Sequence, residues 1–392
     1  MTLPDDAQRA RGEAPLALLG VLALMTSVVA MTIDAVLPAL DAISGDLGFA
    51  DPNDRHLVVM LVFAGLGLAQ PVFGPLADAV GRKRAAMAGW GVYLAGTTLG
   101  LLAWNPEAML AGRFLQGLGA AGPRVVAIAV VRDLYSGRAM ARVLSVVMTI
   151  FMLVPMLAPL MGQGVEALAG WRAIFGLYLA MAVAAALWYL AMPETLAPEA
   201  RRPLSLRPIA AAVRETLSTR QTVICTLAAV AGFGAFVAYL AVSQQVLEEL
   251  YALGPLFPLA FGALALVFAL ATFANSRLVG RLGMRSLALT GFGAMTLTAA
   301  GGAVAATMSG GVPPFWLVMT LLAVIFFCVA LLFANLQALA VEPLGHIAGT
   351  ASAMVLSAST LGAAIIGGAI AALYDGSVTP LFAGFTGLGL AG

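Results

Sequence analysis

The sequence predicts an all-α membrane protein of twelve transmembrane helices in two pseudo-symmetric six-helix halves. Composition, the spacing of apolar runs and an internal repeat carry that expectation. Of 392 residues, 61% are hydrophobic and only 10% are charged, with a mean hydropathy of +0.99. A soluble domain is about 45–50% apolar and about 25% charged. A chain this poor in charge cannot cover its own surface in water, so lipid must solvate most of it. The net charge of +1 offers no bulk attraction to nucleic acid, and no nucleic-acid partner is expected.

Crossing a bilayer takes roughly 20 apolar residues per helix. Such runs fall at 16–40, 56–80, 84–104, 107–132, 140–168 and 171–192, then at 220–247, 254–280, 284–307, 313–339 and 345–374. A shorter run occupies 377–392, as though the sequence stopped inside helix 12. The first run is too long for a signal-peptide core and no small-residue cleavage site follows it, so it stays as a helix. Cys225 and Cys328 sit inside apolar stretches without pairing or metal spacing and read as inert thiols.

Basic residues then orient the chain. One side receives Arg9, Arg11, Arg82, Lys83, Arg84, Arg132, Arg138 and Arg142, then Arg201, Arg202, Arg207, Arg214, Arg220, Arg277, Arg281 and Arg285. The opposite side has Arg55 and Arg172, with Asp41, Asp46, Asp51 and Asp54 in its first loop. Both termini are therefore expected in the cytoplasm. The polar stretch Pro193 to Thr219 reads as a cytoplasmic linker (193–219) between an N-terminal half, 1–192, and a C-terminal half, 220–392. A repeat supports the division: Leu76–Trp90 and Leu278–Phe292 match at Leu76/Leu278, Gly81/Gly283, Lys83/Arg285, Gly89/Gly291 and Trp90/Phe292. Duplicated halves of this kind hold substrate at the midplane between them.

The segment Gly74-Pro-Leu-Ala-Asp78-Ala-Val-Gly81-Arg82-Lys83-Arg84 closely resembles the signature of the major facilitator superfamily between helices 2 and 3. Gly81 permits a tight turn, and Asp78 offers a carboxylate to nearby arginines or a helix N-terminus. Two further stretches resemble the drug:proton antiporters of the bicyclomycin/chloramphenicol-resistance type. These are Asp34-Ala-Val-Leu37-Pro38-Ala39 in helix 1, and Arg113-Phe-Leu-Gln116-Gly117-Leu-Gly119 with Val131-Arg132-Asp133-Leu-Tyr135 in helix 4. The helix-5 antiporter motif survives only as Ala158-Pro159-Leu160-Met161-Gly162-Gln163, and Thr26 stands where some relatives carry a second helix-1 acid.

Asp34 is the only acid deep within an expected span. Ionising it in hydrocarbon is expensive, so it should face a cavity, taking a proton when empty and losing it when substrate or a cation competes. The resemblance gives Arg113 a part in coupling protons to substrate; a structural pairing of Arg113 with Asp34 is the alternative. Arg124, three turns along helix 4, is always charged and should either contact substrate or pair with Asp34. If both arginines face the cavity, neutral, zwitterionic or weakly acidic compounds are favoured over cations. Arg132 and Asp133 are expected in a cytoplasmic gate with Asp78, Gly81 and Arg82.

In the second half, Tyr239, Ser243, Gln244, Asn335 and Gln337 are the polar candidates for the cavity wall, with interhelical hydrogen bonding the alternative. Phe233, Phe236 and Phe333 read as lipid-facing or packing residues, and His56 and His346 as isolated. No Walker loop, metal-ligand cluster or nucleophile–base arrangement occurs, so neither an enzyme nor a cofactor or metal is expected. The partners expected are a small-molecule substrate, protons and membrane lipid, with the chain a monomer in the bacterial inner membrane. The resemblance implies proton-coupled efflux of amphipathic compounds by alternating access. A symporter or uniporter for one metabolite, or a non-transporting signalling or assembly protein, are the alternatives.

Overall fold

In lipid a spanning backbone must satisfy its own polar groups, which leaves helices as the solution for apolar runs of this length. The computed structural model describes residues 14–201 and 206–392, with side chains omitted for 206–209, and its described residues are helical with short connections. Arg9, Arg11 and Arg202, counted above among the basic-loop residues, lie outside the described residues, as does the side chain of Arg207. Helix α1 runs Leu16–Asp34, breaks through a 3-10 turn at Leu37–Ala39 and resumes as Leu40–Leu47. Then come α2 (Leu57–Val80), α3 (Arg82–Leu101), α4 (Pro106–Leu134), α5 (Gly137–Ala169) and α6 (Trp171–Leu190). A linker helix, Leu206–Ser218, precedes α7 (Arg220–Gln244), α8 (Phe257–Leu282), α9 (Met284–Met308), α10 (Phe315–Val341), α11 (Ala348–Ala372) and α12 (Thr379–Ala391).

Among the described residues, nine helical stretches are long and apolar enough to cross a membrane, with α10 and α11 counted as one. The exceptions are α3, which opens on Arg82, Lys83 and Arg84, and the 13-residue α12. Exposed Leu68, Leu187, Leu227 and Leu297 belong on the outside of such a bundle, where lipid takes the place of water.

The duplication shows in the packing. Helix α1 packs on α4, α5 and α6, and α7 packs on α10, α11 and α12; α3 packs on α4 and α6, and α9 on α10 and α12; α2 packs on α4, and α8 on α10. Every one of these pairings recurs six helices later. The repeated sequence falls at repeated turns: Gly81 and Gly283 end α2 and α8 with φ of 96° and 78°, a conformation a side chain rarely adopts. The two bundles meet along α2 with α11 and α5 with α8.

Chain direction gives the molecule a basic end, where α2 meets α3, and an acidic end, where α1 meets α2. The bundles are bridged from mid-depth to the acidic end. At mid-depth Ser357 donates to the Gly67 carbonyl (2.6 Å). At the acidic end, Arg55 holds Asp41 (2.8 Å) on its own side and Glu249 (2.5 Å) on the other. Asn53 donates to the carbonyls of Ala371 and Ala372 (3.2 and 3.1 Å) and accepts from Gln245 (2.9 Å), and Gln163 donates to Gly254 (3.2 Å). At the basic end, the hydrogen bonds and ion pairs described next all stay within one bundle.

Candidate functional site

The Pro38 of the helix-1 motif has no N–H to donate back to the Asp34 carbonyl, and α1 opens immediately after Asp34. On the other side of that opening, α5 comes so close that a Cβ on Gly162 would sit 1.9 Å from the Ala35 carbonyl oxygen. The surviving glycine of the helix-5 motif thus seats α5 beside Asp34. The Asp34 side chain is 4% exposed, with no hydrogen bond or ion pair among the described residues.

Arg113 does not neutralise it. Its guanidinium is fully buried and donates to the Val58 carbonyl (2.8 Å), the Thr32 carbonyl (2.7 Å) and Gln116 Oε1 (2.8 Å). Gln116 in turn donates to Thr97 Oγ1 (2.9 Å), and Thr32 Oγ1 and the Tyr93 hydroxyl share a 2.5 Å hydrogen bond. Neutral acceptors therefore surround this cation and tie α1, α2, α3 and α4 together two residues from Asp34. Tyr178, on α6, has a buried hydroxyl with no hydrogen-bond partner among the described residues. Sequence reasoning missed Tyr178, which carries no motif.

Arg124 does not pair with Asp34 either. Eleven residues beyond Arg113, it sits about 16 Å further toward the basic end. It is half-buried and makes no hydrogen bond or ion pair among the described residues.

At the basic end, Arg82 donates to Asp78 (2.5 Å) and through Nε and Nη2 to the two Asp133 oxygens (2.8 and 3.1 Å). This joins Asp78, Arg82 and Asp133 across the Gly81 turn. Arg132 corrects the expectation: its side chain is exposed and makes no hydrogen bond or ion pair among the described residues. Adjacent helical residues point about 100° apart, so turning Asp133 inward turns Arg132 out. Glu194, after α6, takes the remaining place by accepting from the backbone N–H groups of Arg82 (3.0 Å) and Lys83 (3.1 Å) at the positive start of α3. Thr195 adds a hydrogen bond to Asp133 (3.0 Å). A lone glutamate in a polar linker gives no sequence signal for this.

In the second bundle, Asn335 donates to Asn275 Oδ1 (2.7 Å), Ser243 folds back on the Leu240 carbonyl (3.0 Å), and Gln244 donates to Glu248 (3.1 Å). The Asn335 bond joins α10 to α8, the Ser243 and Gln244 bonds stay within one helical stretch, and Gln244 Oε1 is left without a partner among the described residues. Among the described residues, the Tyr239 hydroxyl and Gln337 Nε2 are buried without partners, as are the hydroxyl of Ser359 on α11 and both amide atoms of Gln70 on α2. Of the two isolated histidines, His346 reaches Glu215 of the linker helix (2.9 Å). The phenylalanines form a continuous cluster: Phe233 meets Phe63 of the first bundle (6.0 Å between ring centroids), stacks on Phe236 (5.8 Å) and contacts Phe333 (5.3 Å). Phe236 continues it to Phe268 and Phe326 (5.5 and 5.6 Å), and Phe326 meets Tyr239 (4.9 Å).

An unpaired buried polar group in lipid is costly, and each of these atoms has no hydrogen-bond partner among the described residues. Among the described residues no group of His, Cys, Asp and Glu could hold a metal. The sequence profile of the Major Facilitator Superfamily matches residues 22–367. This chain belongs to the major facilitator superfamily.

The transporter is 28% identical over 353 residues to the bicyclomycin resistance protein homolog of Haemophilus influenzae, covering 89% of this chain and 87% of that protein. It is 32% identical over 155 residues, 40% of either chain, to the multidrug resistance protein MdtL of Citrobacter koseri. Among solved structures, a D-xylose–proton symporter superposes with a TM-score of 0.72 at 14% identity, covering 96% of this chain and 95% of that one. That likeness shows the fold.

Proposed function

We propose that this transporter exports small amphipathic compounds across the bacterial inner membrane in exchange for protons, by alternating access of one interior site to the two sides. The observation that carries the reading is Asp34, a carboxyl group without a hydrogen-bond or ion-pair partner among the described residues, at the break in α1 beside the Arg113 network. A group so placed has two competing claims on it. Protonation removes the cost of holding a charge in the membrane interior, and water reaching the carboxylate when the path opens solvates it and removes the proton. Arg113 supports the exchange by holding α1 at the Thr32 carbonyl, so that occupancy at Asp34 acts on the helix that α4 grips.

The bridged acidic end is the periplasmic face in this proposal, and the basic end, with both termini, faces the cytoplasm. Asp78, Gly81, Arg82 and Asp133 form the cytoplasmic gate on the N-terminal half (1–192), which the linker (193–219) joins to the C-terminal half (220–392), and the chain works as a monomer. Tyr239 and Gln337 line the cavity, and Arg124 stands nearer its mouth. Efflux as the direction is supported by the likeness to a bicyclomycin resistance protein homolog over most of the chain and to a multidrug resistance protein over part of it.

The test is a drug-sensitivity panel in an efflux-deficient host, followed by efflux of the responding compound from proteoliposomes under an imposed pH gradient. Gradient-dependent export is expected. Gradient-independent equilibration would make the protein a uniporter, and accumulation with the proton flow would make it a symporter.

A further inference from the structure

We infer that the transporter's substrates are aromatic monoanions, held by their carboxylate at Arg124 and Gln70 and by their ring on the phenylalanine cluster. The inference deepens the proposed function and rests on its reading of the interior as a substrate path.

Depth is the first argument. Arg124 lies ten residues from the basic end of α4, and Gln70 lies ten from the basic end of α2. Phe333 is eight residues from the basic end of α10, and Phe233 thirteen from that of α7. At about 1.5 Å per residue, all four sit roughly 12–20 Å in from the basic end. Register supports the match: α2 and α4 run side by side, Arg113 donating to Val58 and Gly117 packing on the Val62 carbonyl, which brings Gln70 level with Arg124.

Direction is the second argument. Gln70 follows Phe63 by seven residues, two turns, and so shares its face of α2. Phe63 is the ring that meets Phe233 of the other bundle, so Gln70 lies on the face turned to the second bundle. Its side chain is 1% exposed, with both amide atoms unpartnered.

Charge is the third. Arg113 is satisfied by neutral acceptors and Arg124 by none among the described residues, so no carboxylate balances either guanidinium. Asp34 lies about 18 residues into α1, deeper than Arg124. Glu248, Glu249 and Glu342 stand at the ends of α7 and α10, outside this depth. The interior at this level is therefore cationic, whatever the protonation state of Asp34. One guanidinium without a partner among the described residues, with an amide level with it on the neighbouring helix, suits a single carboxylate, which can accept from both. Phe233, Phe236, Phe268 and Phe333, each partly exposed, offer edges and faces to a flat ring rather than to an alkyl chain.

The test measures equilibrium binding to the purified full-length protein, with no gradient present, for three probes of one shape. These are 2-naphthoate, 2-naphthamide and (2-naphthylmethyl)trimethylammonium. Wild type should bind the acid about tenfold or more tighter than the cation. Arg124→Ala should bring that ratio within about threefold, Arg124→Lys should restore part of it, and Phe236→Ala should weaken acid and amide together. Acid and cation binding alike in wild type would overturn the inference, as would a ratio unmoved in Arg124→Ala. Should Arg124→Ala not fold, the wild-type ratio and Arg124→Gln decide. Selective binding in a protein that moves nothing under a pH gradient would fail the coupling and leave this site standing. Gradient-driven export without charge preference would do the reverse.

Discussion

The two ends of the helix bundle are both held by an arginine between two carboxylates, yet they do different work. At the basic end Arg82 bridges Asp78 and Asp133 within the first bundle, and Glu194 completes the cluster from the same bundle. At the acidic end Arg55 bridges Asp41 of its own bundle and Glu249 of the other, and Asn53 and Gln245 cross with it. The first arrangement braces a turn and leaves the two bundles free of each other. The second fastens one bundle to the other. Ion pairs with like chemistry become a brace or a latch according to which helices supply the partners.

The comparison breaks most easily at the brace. Arg82 and Asp133 have side chains only 8% and 14% exposed, and removing Asp133 leaves the buried guanidinium with Asp78 alone and its Nε and Nη2 donors unpaired. Asp133→Ala should cost on the order of 3 kcal/mol of stability, read as a fall in thermal unfolding temperature in detergent, with the spacing of the acidic end unchanged. A mutant as stable as wild type would mean that Asp78 alone suffices for Arg82.

The latch should respond differently. Arg55 is buried, but its partners Asp41 and Glu249 are 72% and 40% exposed, so screening reduces what the pairs contribute. Arg55→Ala should shift the balance toward an opened acidic end by about 1 kcal/mol, roughly a fivefold change in population. Distances between spin labels at positions 51 and 375, on opposite bundles, would report it as a new long component. An unchanged distance distribution would show that Asn53 and the apolar contacts hold the end closed without Arg55.

The smallest effect belongs to Arg132. Outside the brace, it should change stability by no more than about 0.5 kcal/mol on replacement by alanine. A loss comparable to that of Asp133→Ala would return it to the gate.

What the sequence made legible follows from which signals survive in lipid. Span positions, the paired turns at Gly81 and Gly283, and the meeting of Asp78 with Arg82 and Asp133 depend on run length, glycine conformation and local motif, and all could be read. The facing of each helix could not. In water an apolar stripe reveals the buried face, but here lipid-facing and core-facing positions are equally apolar, so nothing marked Phe233 and Phe236 as interior. The same loss hid Gln70 and Ser359, single polar residues in apolar runs. It also left Arg124 between pairing with Asp34 and reaching for substrate, and helix depth speaks only against the pairing. Partners far apart in sequence, such as Arg55 with Glu249 and Arg82 with Glu194, leave no trace in one chain.

The measurement that bears most directly on the account is gradient-driven efflux from proteoliposomes by Asp34→Asn beside wild type, with insertion and thermal stability checked on the same preparations. Asparagine keeps the shape of the protonated side chain and cannot exchange the proton. The account predicts a folded, inserted protein whose uphill efflux is lost. Undiminished proton-coupled transport by that mutant would remove Asp34 from the mechanism.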